Sequence, residues 1–174
     1  MSFLSNLLSA VTSALRPRTR SAGPAPRPGR PSTDSPGRHG ADRTVEVEPR
    51  SIGKVRMTYA PNRDGDPDPG EVVWTWVPFE ENDGQGKDRP TLVVAAESTD
   101  TVLVVQLTSK DHDGQSEFVA VGAGDWDGQH RPSWVNVERV LRVHPGGMRR
   151  EAASLGKPEF DHVAARLRAR YGWS

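Results

Sequence analysis

The order of apolar and polar positions divides this chain into a helix-like start, a stretch with almost nothing to bury, and a long β-rich body. Phe3, Leu4, Leu7, Leu8, Val11 and Leu15 recur at spacings of three, four and one, which predicts a short amphipathic helix over residues 1–15. The body is expected to span residues 44–174. Near its start Val55, Met57 and Tyr59 alternate with Lys54, Arg56 and Thr58, the pattern of an edge strand with one wet face. After a turn cluster at residues 62–70 come short apolar runs at 71–79, 91–96, 101–107, 117–121 and 134–143. Residues 97–100 form a tight hairpin between the second and third of these runs. Short strands in series with polar turns predict a small β-barrel or sandwich rather than a parallel α/β sheet. One helix closes the body: Pro158 suits its first turn, and Phe160, Val163, Ala164, Leu167 and Tyr171 make an apolar stripe at helical spacing. Arg166, Arg168 and Arg170 fall where cations favour the helix dipole, and Gly172 is placed to cap it.

Composition changes this picture mainly between the first helix and the body. Residues 16–43 are dominated by Pro, Gly, Arg and Ser, cannot repay their ordering entropy by burial, and are expected to be a disordered linker. Formal net charge is zero, but residues 1–43 hold seven Arg against two Asp, whereas residues 44–174 hold sixteen basic and twenty-one acidic side chains. A basic tail thus precedes a mildly acidic body. The tail's arginines suit non-specific contact with RNA or anionic lipid, or simply a solvated tether. The helix over residues 1–15 suits docking on the body, weak membrane contact, contact with a partner groove, or ordering only on contact. There is no cysteine, which excludes disulfides, thiolate nucleophiles and Cys-ligated metals. No apolar run approaches the ~20 residues of a membrane span, and the start lacks the features of a secretory signal; the expectation is a soluble, cytoplasmic protein.

Candidate chemistry sits at two places. In residues 80–90, Gly84 and Gly86 let the backbone bend while Lys87 and Arg89 bring positive charge. Pro90 pushes Arg89 into an extended conformation, from which a guanidinium can bind a phosphate through two parallel hydrogen bonds. An ion pair of Arg89 with the adjacent Asp88 is the competing reading. The second place is Thr108, Ser109, Lys110, Asp111 and His112, where a strand ends in two hydroxyls followed by a cation and an imidazole. Turn-forming hydroxyls and a structural histidine are the plain alternative there. Asp64, Asp66 and Asp68 begin like a calcium loop, but Pro69 and Thr75 stand where Gly and a bidentate Glu are required, so they are read as a turn. Glu80 and Glu81 are neighbours on a loop and do not make an acid/base pair.

Taken in order, the segments 70–74 (GEVVW), 84–90 (GQGKDRP), 91–95 (TLVVA), 107–110 (LTSK), 116–121 (SEFVAV) and 133–143 (SWVNVERVLRV) resemble the PemK/MazF family of toxin–antitoxin endoribonucleases. The resemblance covers residues 70–171 and implies an SH3-like (PemK/MazF/CcdB-type) β-barrel with a C-terminal α-helix. It implies a homodimer that cuts single-stranded RNA without a metal or other cofactor, and a cognate antitoxin protein as partner. The family's catalytic Arg, in its R-P dipeptide, matches Arg89, and its catalytic Thr or Ser matches Thr108. Gln85, Lys87, Ser109, Lys110 and His112 are the expected substrate-binding residues around them.

Elementary chemistry agrees with that assignment. RNA cleavage by the ribose 2′-OH passes through a dianionic phosphorane, which a fixed guanidinium and a hydroxyl donor would stabilise. Arg cannot serve as the base. His112 is the candidate, because an imidazole ordinarily exchanges protons near neutrality. Two features depart from the family pattern: Gly84 replaces the acid that often precedes the loop Gln, and the body is net acidic. They favour a second reading, a barrel that has lost cleavage and binds nucleic acid or protein as a regulatory module. Lys87, Arg89, Lys110 and Arg131 could focus a positive groove, and Trp126 and Trp134 could stack on unpaired bases or pack in the core.

Overall fold

Seven strands form one antiparallel sheet, and its central strands are apolar on both faces because the sheet is covered on both sides. The structure, a computed structural model, describes residues 35–62, 64–81 and 83–174. The helix expected at residues 1–15 and most of the expected linker lie outside the described residues. The strands are β1 (Val45–Val47), β2 (Glu71–Pro78), β3 (Gly86–Ala96), β4 (Val102–Thr108), β5 (Phe118–Gly122), β6 (Ser133–Val143) and β7 (Met148–Ser154). They are followed by one α-helix, α1 (Lys157–Tyr171). The spatial order is β1-β6-β4-β3-β2-β7, with β5 added beside β6. Register shifts in the β2–β7, β3–β4, β4–β6 and β5–β6 pairs bend the sheet. The result is the expected mainly β, SH3-like fold with a C-terminal helix.

Two cores follow from the strand alternation. Val72, Leu92, Val94, Leu103, Val105, Leu107, Val135 and Val137 point to one side and pack with Phe160, Val163, Ala164 and Leu167 of α1. Val73, Val77, Val93, Val102, Val104, Leu141 and Val143 point to the other side with Met148. The helix stripe is therefore core, and Gly172 closes α1 with left-handed backbone (φ 73°), its N–H donating to the Arg168 carbonyl.

Three sequence expectations change. Residues 54–59 keep their alternation, with Val55 and Met57 buried, but form no sheet strand; the Met57 N–H donates to the Ser174 carbonyl and the Ser174 N–H to the Val55 carbonyl. Residues 35–43, linker-like in composition, fold onto the sheet: the Pro36 carbonyl accepts from the Trp76 N–H, and the Gly37 carbonyl from the Thr44 N–H. Gly37 holds φ +80°, and a Cβ there would lie 2.6 Å from both Thr75 Oγ1 and the Gly147 carbonyl. The Thr75 hydroxyl donates to that carbonyl (2.6 Å) and is itself met by Thr44 Oγ1 at 2.7 Å. Finally, the expected loop over residues 80–90 is shorter, because β3 begins at Gly86 and already contains Lys87 and Arg89.

Candidate active site

Arg89 is held by strand pairing on β3, opposite Thr75 of β2, and not by a flexible loop. Pro90 contributes to that placement: its fixed φ suits a strand, and it disfavours helical backbone at Arg89. The paired positions Val77↔Lys87 and Thr75↔Arg89 put Lys87 and Arg89 on the same face of the sheet as the second core. Thr108 ends β4. The β3–β4 ladder pairs Thr91 with Gln106 as its last residues at this end, so Arg89 and Thr108 each lie two positions beyond it. By alternation the two lie on the same face of adjacent strands, beyond the point where the β3–β4 pairing ends.

The electrostatics of Arg89 are unusual. Its side chain is half-buried, and among the described residues it has no hydrogen bond or ion pair. Burial lowers its pKa from the ordinary value, and the nearby Arg139 lowers it further. The competing pair with Asp88 is absent: Asp88 turns to the other face and binds Arg149 at 2.5 Å. Burial raises the Asp88 pKa against the pull of Arg149, with Glu151 adding to the rise.

Thr108 has a complementary arrangement. Its Oγ1 accepts from the Lys110 N–H at 3.2 Å, which leaves the hydroxyl proton free to donate outward. The two strands thus offer a half-buried cation and a hydroxyl donor on one face, a combination suited to non-bridging phosphate oxygens.

The other expected residues fall into two groups. Lys87 is exposed, with its ammonium 5.8 Å from the Phe79 ring centroid. Gln85 is exposed, and both its backbone N–H and side-chain amide donate to Asp83, at 2.9 Å each. Ser109 and Lys110 are exposed beside Thr108. His112 stacks on Phe118 (centroids 3.6 Å apart, planes 8° apart), and its Nδ1 lies 3.0 Å from Gln115 Oε1. No contact joins His112 to Arg89 or Thr108 among the described residues. Arg131, one of the cations thought to focus a groove, is bound by Asp127 at 2.7 Å. Trp126 is buried in the main core, its indole N–H donating to Ser133 Oγ, and does not face solvent.

Nothing in the local sequence singles out Arg139. It lies on β6, near enough to Arg89 to act on its charge, with its side chain 11 % exposed, held by Glu46 at 2.7 Å and donating to the Pro78 carbonyl. In the run VNVERVLRV it reads as one more wet-face residue; the long-range partner Glu46 is what turns it inward. The aspartates of residues 64–68 form a turn, with the Asp66 N–H donating to Asp64 Oδ1. No cluster of three or more His, Asp or Glu suited to a metal occurs among the described residues.

With this geometry in place, the sequence profile described as the PemK-like, MazF-like toxin of type II toxin–antitoxin systems matches residues 68–170. The chain belongs to this family. The match spans β2 to the last turns of α1 and so includes Arg89 and Thr108. Among solved structures, the MazE–MazF complex (Form-III) from Deinococcus radiodurans is similar at 19 % identity, covering 62 % of this chain and 98 % of that one, with a TM-score of 0.47. MazF (Form-I) from the same organism is similar at 20 % identity over 66 % and 99 %, with a TM-score of 0.46. The Mycobacterium tuberculosis toxin MazF-mt6 is similar at 15 % identity over 60 % and 98 %, with a TM-score of 0.43. No curated protein matches the chain. Among the described residues, no helix of this PemK/MazF-like toxin is long and apolar enough to cross a membrane.

Proposed function

We propose that this toxin is a metal-independent endoribonuclease that cleaves single-stranded RNA, with Arg89 and Thr108 as its catalytic pair. The observation that carries the proposal is the half-buried Arg89 guanidinium, which has no counter-ion among the described residues and lies on the same sheet face as Thr108, whose hydroxyl proton is free. In the reaction the ribose 2′-oxygen attacks the adjacent phosphorus and loses its proton, the bond from phosphorus to the 5′-oxygen breaks, and that oxygen is protonated as it leaves. Negative charge grows on the non-bridging oxygens between these events. Arg89 and Thr108 donate to them there, where each donor is worth most. Lys87 and Lys110 draw the strand in, with Gln85 and Ser109 at the rim. His112 is the proposed base: when its Nδ1–H donates to Gln115, Nε2 is the unprotonated nitrogen.

Family membership supports a cognate antitoxin protein as partner, and the same reading includes a homodimer working in the cytoplasm. One observation favours the non-catalytic alternative, a binding module: the excess of acidic side chains over residues 44–174, with Glu46 engaging Arg139 near Arg89. Inducing the wild type and Arg89→Ala in a bacterial host, followed by mapping of RNA 5′ ends, separates the two. New ends at recurrent sequences with the wild type and none with Arg89→Ala are expected. Equal end maps for wild type and uninduced cells would exclude the enzyme.

A further inference from the structure

We propose that Trp134 is the nucleobase platform of this site, so that the single strand is held by one unpaired base stacked on the indole next to the phosphate at Arg89 and Thr108. This inference rests on the ribonuclease reading and names how its substrate is positioned. The starting point is register. Thr108 of β4 and Trp134 of β6 are direct partners, and Trp134 is in turn the partner of Ala120 on β5. Direct partners share a face, so Thr108, Trp134 and Ala120 form one row across β4, β6 and β5, and Arg89 lies on the same face of the adjacent β3. At about 4.8 Å per paired strand, the backbone of Trp134 lies about 5 Å from that of Thr108.

Burial on β6 shows which way the ring faces. Val135 and Val137 enter the main core, so the intervening and flanking positions, Trp134 and Asn136, are turned away from it. Trp134 is only partly buried, and it belongs to neither core cluster. Its indole N–H is buried and meets no protein acceptor. A large ring on a strand's outer face, with its one polar atom unsatisfied, is poorly explained by packing alone. Trp126 is buried in the core with its N–H bound to Ser133, and Trp74, whose N–H is also unpartnered, lies on the opposite face with the Arg149 guanidinium 5.8 Å over its ring.

The surroundings suit a flat, unpaired base. The neighbour beyond Trp134 is Ala120, a small exposed side chain that leaves the ring's flank open. Two residues along β5 on the same face, Phe118 carries the stacked His112 ring. The face therefore grades from a cation and a hydroxyl, suited to a phosphate, to an aromatic shelf suited to the adjoining base. Stacking of this kind tolerates any base, because each has a π-face, and it requires the base to be unpaired. That requirement gives a preference for single strands over duplexes that does not depend on the net charge of the body.

The test uses the full chain and three fluorescein-labelled oligonucleotides whose 2′-O-methyl groups remove the nucleophile: a single strand, the same strand with abasic sites, and its duplex. Trp134→Phe and Trp134→Leu are compared with Arg89→Ala, with circular dichroism to verify folding. The expected result is about tenfold weaker binding of the single strand by Trp134→Leu. Trp134→Phe should recover most of that loss, and neither change should affect the abasic strand, whereas Arg89→Ala should weaken both. Intrinsic fluorescence should be quenched by the single strand in the wild type and much less in Trp134→Phe. If Trp134→Leu binds like the wild type while Arg89→Ala does not, the platform is refuted and the ribonuclease reading stands. If Trp134→Leu weakens the abasic strand equally, its role is structural and the platform is refuted. If the wild type binds none of the three, the ribonuclease reading falls and the platform falls with it.

Discussion

Replacing Arg89 with methionine should make the protein more stable and inactive at once. The guanidinium is half-buried without a counter-ion among the described residues, and both burial and Arg139 disfavour its charge. Methionine keeps most of the aliphatic stem and removes that charge. Solvent screening at a partly exposed site limits the gain to about 0.5–1 kcal/mol. For a body of this size that corresponds to a rise of roughly 2–5 °C in Tm. If Arg89 donates to the developing phosphorane, the same change lowers the cleavage rate by about 10²–10³. Arg142 supplies the opposite case, since it is bound through two hydrogen bonds to Glu97, at 2.6 and 2.7 Å. Arg142→Met strands a partly buried carboxylate and should cost about 1–2 kcal/mol, discounted for its exposure. Urea unfolding of both variants at pH 7, with an RNA cleavage assay on each, checks the pair of signs. A methionine at 89 that destabilises by more than about 1 kcal/mol, or that still cleaves normally, would refute the reasoning.

Glu97 carries a pH prediction. The hydrogen bond from Arg142 is the main cause holding its carboxyl below the usual range, with the Thr101 hydroxyl also contributing. The stability it supplies is full above the ordinary carboxylate range and is lost as pH falls through the lowered folded value; urea midpoints of wild type and Glu97→Gln should therefore converge on acidification. Trp126→Leu should cost about 3 kcal/mol by denaturant titration, because it empties part of the main core and removes the indole's hydrogen bond to Ser133 Oγ. Gly37→Ala should cost about 2 kcal/mol or more in the same measurement, since the added carbon meets Thr75 and the Gly147 carbonyl at positive φ. A neutral Gly37→Ala would mean that residues 35–44 are not part of the folded body.

What could be read from the chain follows where local pattern and tertiary structure agree. The α1 stripe, its Pro158 start and Gly172 stop, and the apolar runs of β2, β3, β4 and β6 are legible because burial on the sheet demands them. β7 (MRREAAS) was not legible: it has no alternation and is held by backbone pairing with β2. β1 is three residues long and owes its existence to β6. Residues 54–59 show the reverse case, in which true alternation marks burial but the backbone partner is Ser174 and not a sheet strand. For the site, Pro90 made the extended Arg89 visible and the T-S strand end made Thr108 visible. Their common face, and the inward turn of Arg139, depend on register and on Glu46, which no local pattern encodes.

The most direct measurement is cleavage of a long single-stranded RNA by the purified full chain in excess EDTA, alongside Arg89→Met and Thr108→Val and a substrate with 2′-O-methyl riboses. The account predicts that the wild type cuts the RNA at recurrent sequences, leaving 5′-hydroxyl ends, and spares the methylated strand. Both variants should fold and should be slower by about 10²–10³. Intact RNA with the wild type, or undiminished cleavage by either variant, would contradict it.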